Sequence, residues 1–182
     1  MNVLYLASGK AKLNYDNVVY NDLLIKRDLQ CDMLEVDITN YDLIFATPPC
    51  NFWSRANCNI YSSYYQATKH LLPDILKKLS NSEKLYVIEN VINKKRMKEN
   101  GIFDIIGDWL YFEYGRHCYF TNILMFMGII QGVPQKQDFK YGGKFINKGD
   151  DRQGGNNVNA VFNAIIEYLN NYYRKEKMWI IY

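Results

Sequence analysis

The stretch that decides the fold is Tyr41–Cys50, YDLIFATPPC. Leu43–Ala46 is a short apolar run bounded by Asp42 on one side and the Pro48-Pro49 pair on the other. Such a run, closed by turn signals at both ends, reads as a strand buried on both faces of a sheet. It leaves through Thr47-Pro48-Pro49-Cys50. The two prolines fix φ and stiffen the turn, so Cys50 stands just past the carboxyl end of the strand. That is the edge at which open α/β sheets bind their ligands.

Working outward, Val3–Ala7, Val18–Asp22 and Met33–Ile38 carry the same strand signature on the N-terminal side, and Leu85–Ile88 and Tyr119–Met127 carry it on the other. Helical patterns lie between and after them. Tyr61–Leu79 has Tyr64, Ala67, Thr68, Leu71, Leu72, Ile75 and Leu79 at three- and four-residue spacing, with Pro73 either kinking it or dividing it into two helices. Lys95–Leu110 is a second helical stretch, interrupted near Gly101, and Val158–Tyr173 a terminal helix that docks through Val161, Ile165, Ile166 and Leu169. Strands alternating with helices predict an α/β domain with a mainly parallel sheet.

At 182 residues, 48% of them hydrophobic and 23% charged, the chain has material for one core and too little charge for a disordered segment. It is read as a single domain over residues 1–182. Sixteen tyrosines serve recognition surface as readily as core. The net charge of +3 permits nucleic-acid binding without requiring it. No run approaches the roughly 18 apolar residues of a membrane span, and the N-terminus lacks a signal-peptide pattern. Four cysteines without a CxxC pair suit free thiols and a cytoplasmic location. His70, His117 and the cysteines show no metal-ligand spacing, so no metal is expected. The segment from about 128 to 154 is rich in glycine, with Lys136, Lys140, Tyr141, Lys144, Lys148 and Arg152; long irregular segments of this kind are often functional.

The chemistry sits at two strand ends. Beyond Cys50, the run Tyr86–Val91, YVIENV, is a second buried strand that ends in Glu89-Asn90-Val91. A thiol nucleophile and a carboxylic acid at neighbouring strand ends suit attack on an electron-poor ring with protonation of a ring nitrogen.

These residues resemble the DNA (cytosine-5) methyltransferases, in particular the compact forms of phages and mobile elements. Pro48-Pro49-Cys50, followed by Asn51 and Ser54, is similar to the nucleophile motif, and Glu89-Asn90-Val91 to the motif that supplies the acid. Gly155-Asn156-Asn157-Val158 resembles the closing motif of the cofactor pocket. Arg116, in YGRHCYFTN, is similar to the arginine that backs the target base, although the second arginine usual in the family is absent. The resemblance implies a Rossmann-like sheet of the class I methyltransferase type and methyl transfer from S-adenosylmethionine to cytosine C5 in DNA. Cys50 would add to C6, Glu89 would protonate N3 and Arg116 would contact O2. The target base would be flipped out of the duplex. Pro49, Asn51, Ser54, Arg55 and Asn90 would meet the nucleic acid. Pro48, Asp22, Asp37, Ile38, Asn157 and Val158 would line the cofactor.

The chain departs from that pattern on its cofactor side. Only residues 8–17 and 23–32 separate the first strand runs, too few for parallel crossovers that carry helices. The sheet is therefore expected to be reduced on one face, and a second copy of the chain or another subunit is expected to cover it. Arg55, Lys94, Lys95, Arg96 and Lys98 flank the catalytic strand ends and are candidates for phosphate contacts. The 128–154 segment lies where the family inserts its recognition region, and is short for that task. Two further readings are carried: the same chemistry on a free cytosine nucleotide or RNA, and a catalytically silent nucleic-acid-binding or assembly subunit.

Overall fold

A computed structural model describes residues 1–55, 61–107, 110–131, 133 and 154–179. These residues form an α/β fold around one six-stranded mixed sheet. The strands are β1 (Val3–Leu6), β2 (Val18–Tyr20), β3 (Leu43–Ala46), β4 (Leu85–Val91), β5 (Tyr111–Tyr114) and β6 (His117–Thr121), in the spatial order β2-β1-β3-β4-β6-β5. The three pairings from β2 to β4 are parallel, and β6 pairs antiparallel with both β4 and β5. The sheet is thus mixed where a mainly parallel one was expected. The cause is local: β5 and β6 are joined by the two residues Gly115 and Arg116, with Gly115 at φ 63°, and so short a link permits only an antiparallel hairpin.

The helices are α1 (Ser63–Thr68), α2 (Leu71–Ser80), α3 (Lys94–Glu99), α4 (Ile102–Ile106), α5 (Phe126–Ile130) and α6 (Gly154–Trp179). The Tyr61–Leu79 pattern is two helices end to end. Pro73 lies in the first turn of α2, where a missing N–H is tolerated. Gly101, at φ 70°, separates α3 from α4 in a conformation open to glycine at low cost. The expected strand over Tyr119–Met127 starts earlier, ends at Thr121 and gives way to α5.

Alternation along the strands divides the core in two. Leu4, Leu6, Ile44, Ala46, Tyr86 and Ile88 pack against α2, α3 and α4 on one face, together with Met33, Val36, Phe52 and Trp53. Val3, Tyr5, Leu43, Phe45 and Val87 pack against α5 and α6 on the other. There Phe45 stacks on Phe162 at 4.1 Å, and Tyr5 meets the same ring edge-on at 5.3 Å. As expected, no helix stands between β1 and β2 or between β2 and β3. The bare sheet face expected from this does not follow. All four β1 residues are buried, because irregular chain from residue 29 to 38 covers one side and α6 the other. The ground for expecting a covering subunit disappears with it.

Met33–Ile38 is not a strand. Asp32 turns the chain by accepting the Leu34 N–H at its side chain and the Glu35 N–H at its carbonyl. Lys78 of α2 then donates to the carbonyls of Leu34 and Val36, each at 2.7 Å. Backbone groups satisfied this way have no need of a strand ladder. Met33 and Val36 are still buried, which is why the segment looks strand-like in sequence. Most of the glycine-rich 128–154 segment lies outside the described residues; its first residues, Gly128–Ile130, belong to α5. No helix among the described residues is long and apolar enough to cross a membrane.

Candidate active site at the carboxyl ends of β3 and β4

β3 and β4 are adjacent and parallel, so their exits lie side by side. The loop after β3 is fastened to the segment after β4 by side chains that lie near one another in sequence. Asn90 donates its Nδ2 to the carbonyl of Pro48 at 3.1 Å. Buried Asn93 donates to the carbonyl of Trp53 at 2.8 Å. Arg96 donates Nη1 to the carbonyls of Phe52 and Ser54, at 2.5 and 3.0 Å, with its guanidinium over the Phe52 ring. Phe52 and Trp53 are buried edge-to-face, and the Ser54 N–H donates to the Cys50 carbonyl at 2.9 Å. Cys50 is therefore carried on a loop anchored at both ends, with its thiol half-buried. Burial, and secondarily the Glu89 carboxylate, push that thiol above its ordinary pKa.

Glu89 is 9% exposed. Its partner is His117, whose Nδ1 lies 2.5 Å from Oε1 in a hydrogen bond between the two side chains. The register explains the meeting: Glu89 opposes Tyr119 and Val91 opposes His117, so His117 is the diagonal neighbour of Glu89 across the strand pair. His117 is the residue of this candidate site that sequence reasoning missed. Its signal was present only as the alternation of β6 against β4, and reading it requires the antiparallel register. Arg116 lies exposed in the hairpin turn beside it. Cys118 is buried and donates to the carbonyls of Asn90 and Val91, a structural role.

The remaining expected residues divide. Pro48 is buried and Pro49 half-buried in the loop; Asn51 donates to the Tyr64 hydroxyl at 3.1 Å. Arg55 is exposed. Asn90 is fully engaged in fastening the loop, with its Oδ1 accepting the Val91 N–H, so it faces the protein and not a ligand. Arg96, a candidate for phosphate, is likewise turned inward.

On the cofactor side, the two acids are held by their own surroundings. Asp22 accepts N–H groups from Gly9, Leu24 and Ile25. Of the four lone-pair positions on a carboxylate this leaves one, too few to grip both hydroxyls of a ribose. Arg27 locks the same loops by donating to the carbonyls of Gly9 and Ala11. Asp37 is exposed and closes on Thr39, whose N–H and hydroxyl hold its carboxyl below the usual carboxylate range. Ile38 packs against the core. Val158 is buried in α6, and the Asn157 side chain lies outside the described residues. Asp22 and Asp37 are thus each engaged by backbone groups of nearby loops. No cluster of potential metal ligands occurs among the described residues.

Compared with known proteins, the sequence matches no protein-family model and no curated protein.

Proposed function

We propose that this chain performs the pyrimidine half of cytosine C5 methyl transfer on DNA, with Cys50 as nucleophile and Glu89 as acid. The observation that carries the reading is the side-by-side exit of β3 and β4, with a thiol on one and a carboxyl on the other, close enough for the Glu89 charge to act on Cys50. The strand order supports a Rossmann-like sheet of the class I methyltransferase type. Five strands run one way and β6 alone is reversed. The chain leaves β1 for β2 on one side and returns to β3 on the other, so the switch point lies just beyond Ala7 and Thr47, which are joined by the Thr47 hydroxyl donating to the Ala7 carbonyl at 2.8 Å.

The chemistry follows from the residues. The Cys50 thiolate forms a bond from Sγ to C6 of the ring; the C5=C6 π electrons shift toward N3 as N3 takes a proton from the Glu89 carboxyl. His117 holds Oε1, which leaves Oε2 for the ring. C5 is now an enamine carbon. It accepts an electrophile and loses its original proton to solvent water; expulsion of the thiolate restores the C5=C6 bond and returns the N3 proton to Glu89. Arg116, at the hairpin tip, would contact O2. S-adenosylmethionine would supply a methyl group to C5; the engaged state of Asp22 means its binding requires the loops after β1 and β2 to rearrange.

Water can serve as the electrophile in place of a methyl donor, so the reading has a cofactor-free test: release of tritium from cytosine C5 in DNA. Release that depends on Cys50 is expected, faster than methyl transfer from labelled S-adenosylmethionine to the same DNA. DNA that keeps its tritium with the intact protein and also gains no methyl group overturns the reading.

A further inference from the structure

Helix α1 buries none of its residues, although it follows the nucleophile loop and carries Tyr64 and Tyr65. Tyr64 is 66% exposed and Tyr61, just before the helix, 84% exposed. These rings contribute nothing to the core. What holds the helix is local: Ser62 caps it by accepting the Tyr65 N–H, and the Tyr64 hydroxyl accepts from Asn51, the residue after Cys50. Tyr64 and Tyr65 meet edge-on at 5.5 Å, so the Tyr64 ring is supported from one side and open on the other.

From Leu43 to Pro73 the sequence contains no Asp or Glu, while Arg55, Lys69 and His70 lie within it. Lys69 sits over the Phe52 ring at 5.1 Å. At the end of α1 a cavity of about 290 Å³ is lined by Trp53, Gln66, Lys69, His70, Pro73 and Asn100. Exposed aromatic faces beside cations are what a single nucleic-acid strand requires: bases stack on the rings whatever their identity, and the backbone meets the positive charge.

We infer that Tyr61 and α1 form a stacking platform for the unpaired bases flanking the cytosine presented to Cys50, so that the substrate is a single strand or a locally opened one. The position of the platform rests on the reading of Cys50 given above; its binding does not depend on the chemistry.

The test is fluorescence anisotropy with the full chain and a short cytosine-containing oligonucleotide, as single-stranded DNA, as RNA of the same sequence and as duplex DNA. The single strand is expected to bind more tightly than the duplex, and the tighter of the two single strands identifies the sugar. Tyr61→Ala and Tyr64→Ala should each weaken single-strand binding about tenfold, while Tyr64→Phe, which keeps the ring and loses the bond to Asn51, stays within about twofold. 2-Aminopurine beside the cytosine should be quenched on binding, less so in the alanine variants. Because α1 buries nothing, these variants keep the fold, which circular dichroism checks. The inference is overturned by tighter binding to duplex, by alanine variants that bind like the parent, or by no binding to any of the three. Strand binding without Cys50-dependent tritium release would sink the catalytic reading alone; release with binding indifferent to the tyrosines would sink the platform alone.

Discussion

The loop after β3 and the loops after β1 and β2 reach the same edge of one sheet, yet they are fastened in opposite senses. The Cys50 loop is fixed from behind: Asn90, Asn93 and Arg96 hold its carbonyls, Phe52 and Trp53 anchor it in the core, and none of these fasteners is the Cys50 thiol. In the loops after β1 and β2, the groups a ligand would need are themselves the fasteners. Asp22 and Arg27 close on backbone atoms of their own neighbourhood. A site whose supporting bonds come from other residues is preorganised for chemistry; a site that uses its own functional groups for support must open first.

The largest effect expected from breaking this contrast is at the acid. Glu89→Gln removes the proton donor and should lower Cys50-dependent tritium release by about 10²- to 10⁴-fold, with the fold retained. His117→Gln, which still offers Glu89 a hydrogen-bond donor, should fall between the parent and His117→Ala in the same assay.

Next is the fastening of the loop. Arg96→Ala leaves the Phe52 and Ser54 carbonyls without their charged donor, a loss of about 1.5–3 kcal/mol in stability. Thermal unfolding should show a fall of several degrees, and tritium release should drop as well, since the loop carries the nucleophile.

The pH dependence of Cys50 sharpens the same side. Burial and Glu89 raise its pKa in the folded protein, so the thiol is more fully protonated near neutrality than an ordinary cysteine. Alkylation by iodoacetamide should rise with pH along a curve displaced above that of free cysteine. In Glu89→Gln the curve should move back toward it. The matching stability contribution is complete below the thiol's unfolded pKa and is lost as pH rises through the folded one.

The smallest effect falls on the other side of the comparison. Asp22→Asn weakens three hydrogen bonds in a partly exposed loop and should cost about 1 kcal/mol in thermal unfolding while leaving tritium release within about twofold. A large loss of release would mean that the two sets of loops are not independent.

Much of this was legible in the sequence wherever one element reports its own state. The buried runs Leu43–Ala46 and Leu85–Ile88 had their strand assignment from composition, and Pro73 and Gly101 marked helix boundaries by backbone chemistry alone. Failures came where a distant residue decided the outcome. Met33–Ile38 alternates like a strand, but Lys78, more than thirty residues on, takes its carbonyls. Asp22 stands at a strand exit as a ligand-binding acid would, but Gly9, on a different loop, occupies it. His117 carries no local pattern; only the register of β6 against β4 brings it to Glu89. The hairpin through Gly115-Arg116 hid for a related reason, since the sequence assigned Tyr111–Tyr114 to no element and only its partner strand shows it to be β5.

The central claim is that Cys50 adds to a cytosine ring without help from the cofactor side. It is tested most directly by incubating the protein, with no S-adenosylmethionine present, with single-stranded DNA containing 5-azacytosine, whose ring nitrogen at position 5 makes C6 more electrophilic. Intact-mass and peptide mass spectrometry then locate any adduct. The account predicts a covalent protein–DNA species joined at the Cys50 peptide and absent from Cys50→Ala. DNA recovered unmodified from the parent protein, or an adduct that persists in Cys50→Ala, would contradict it.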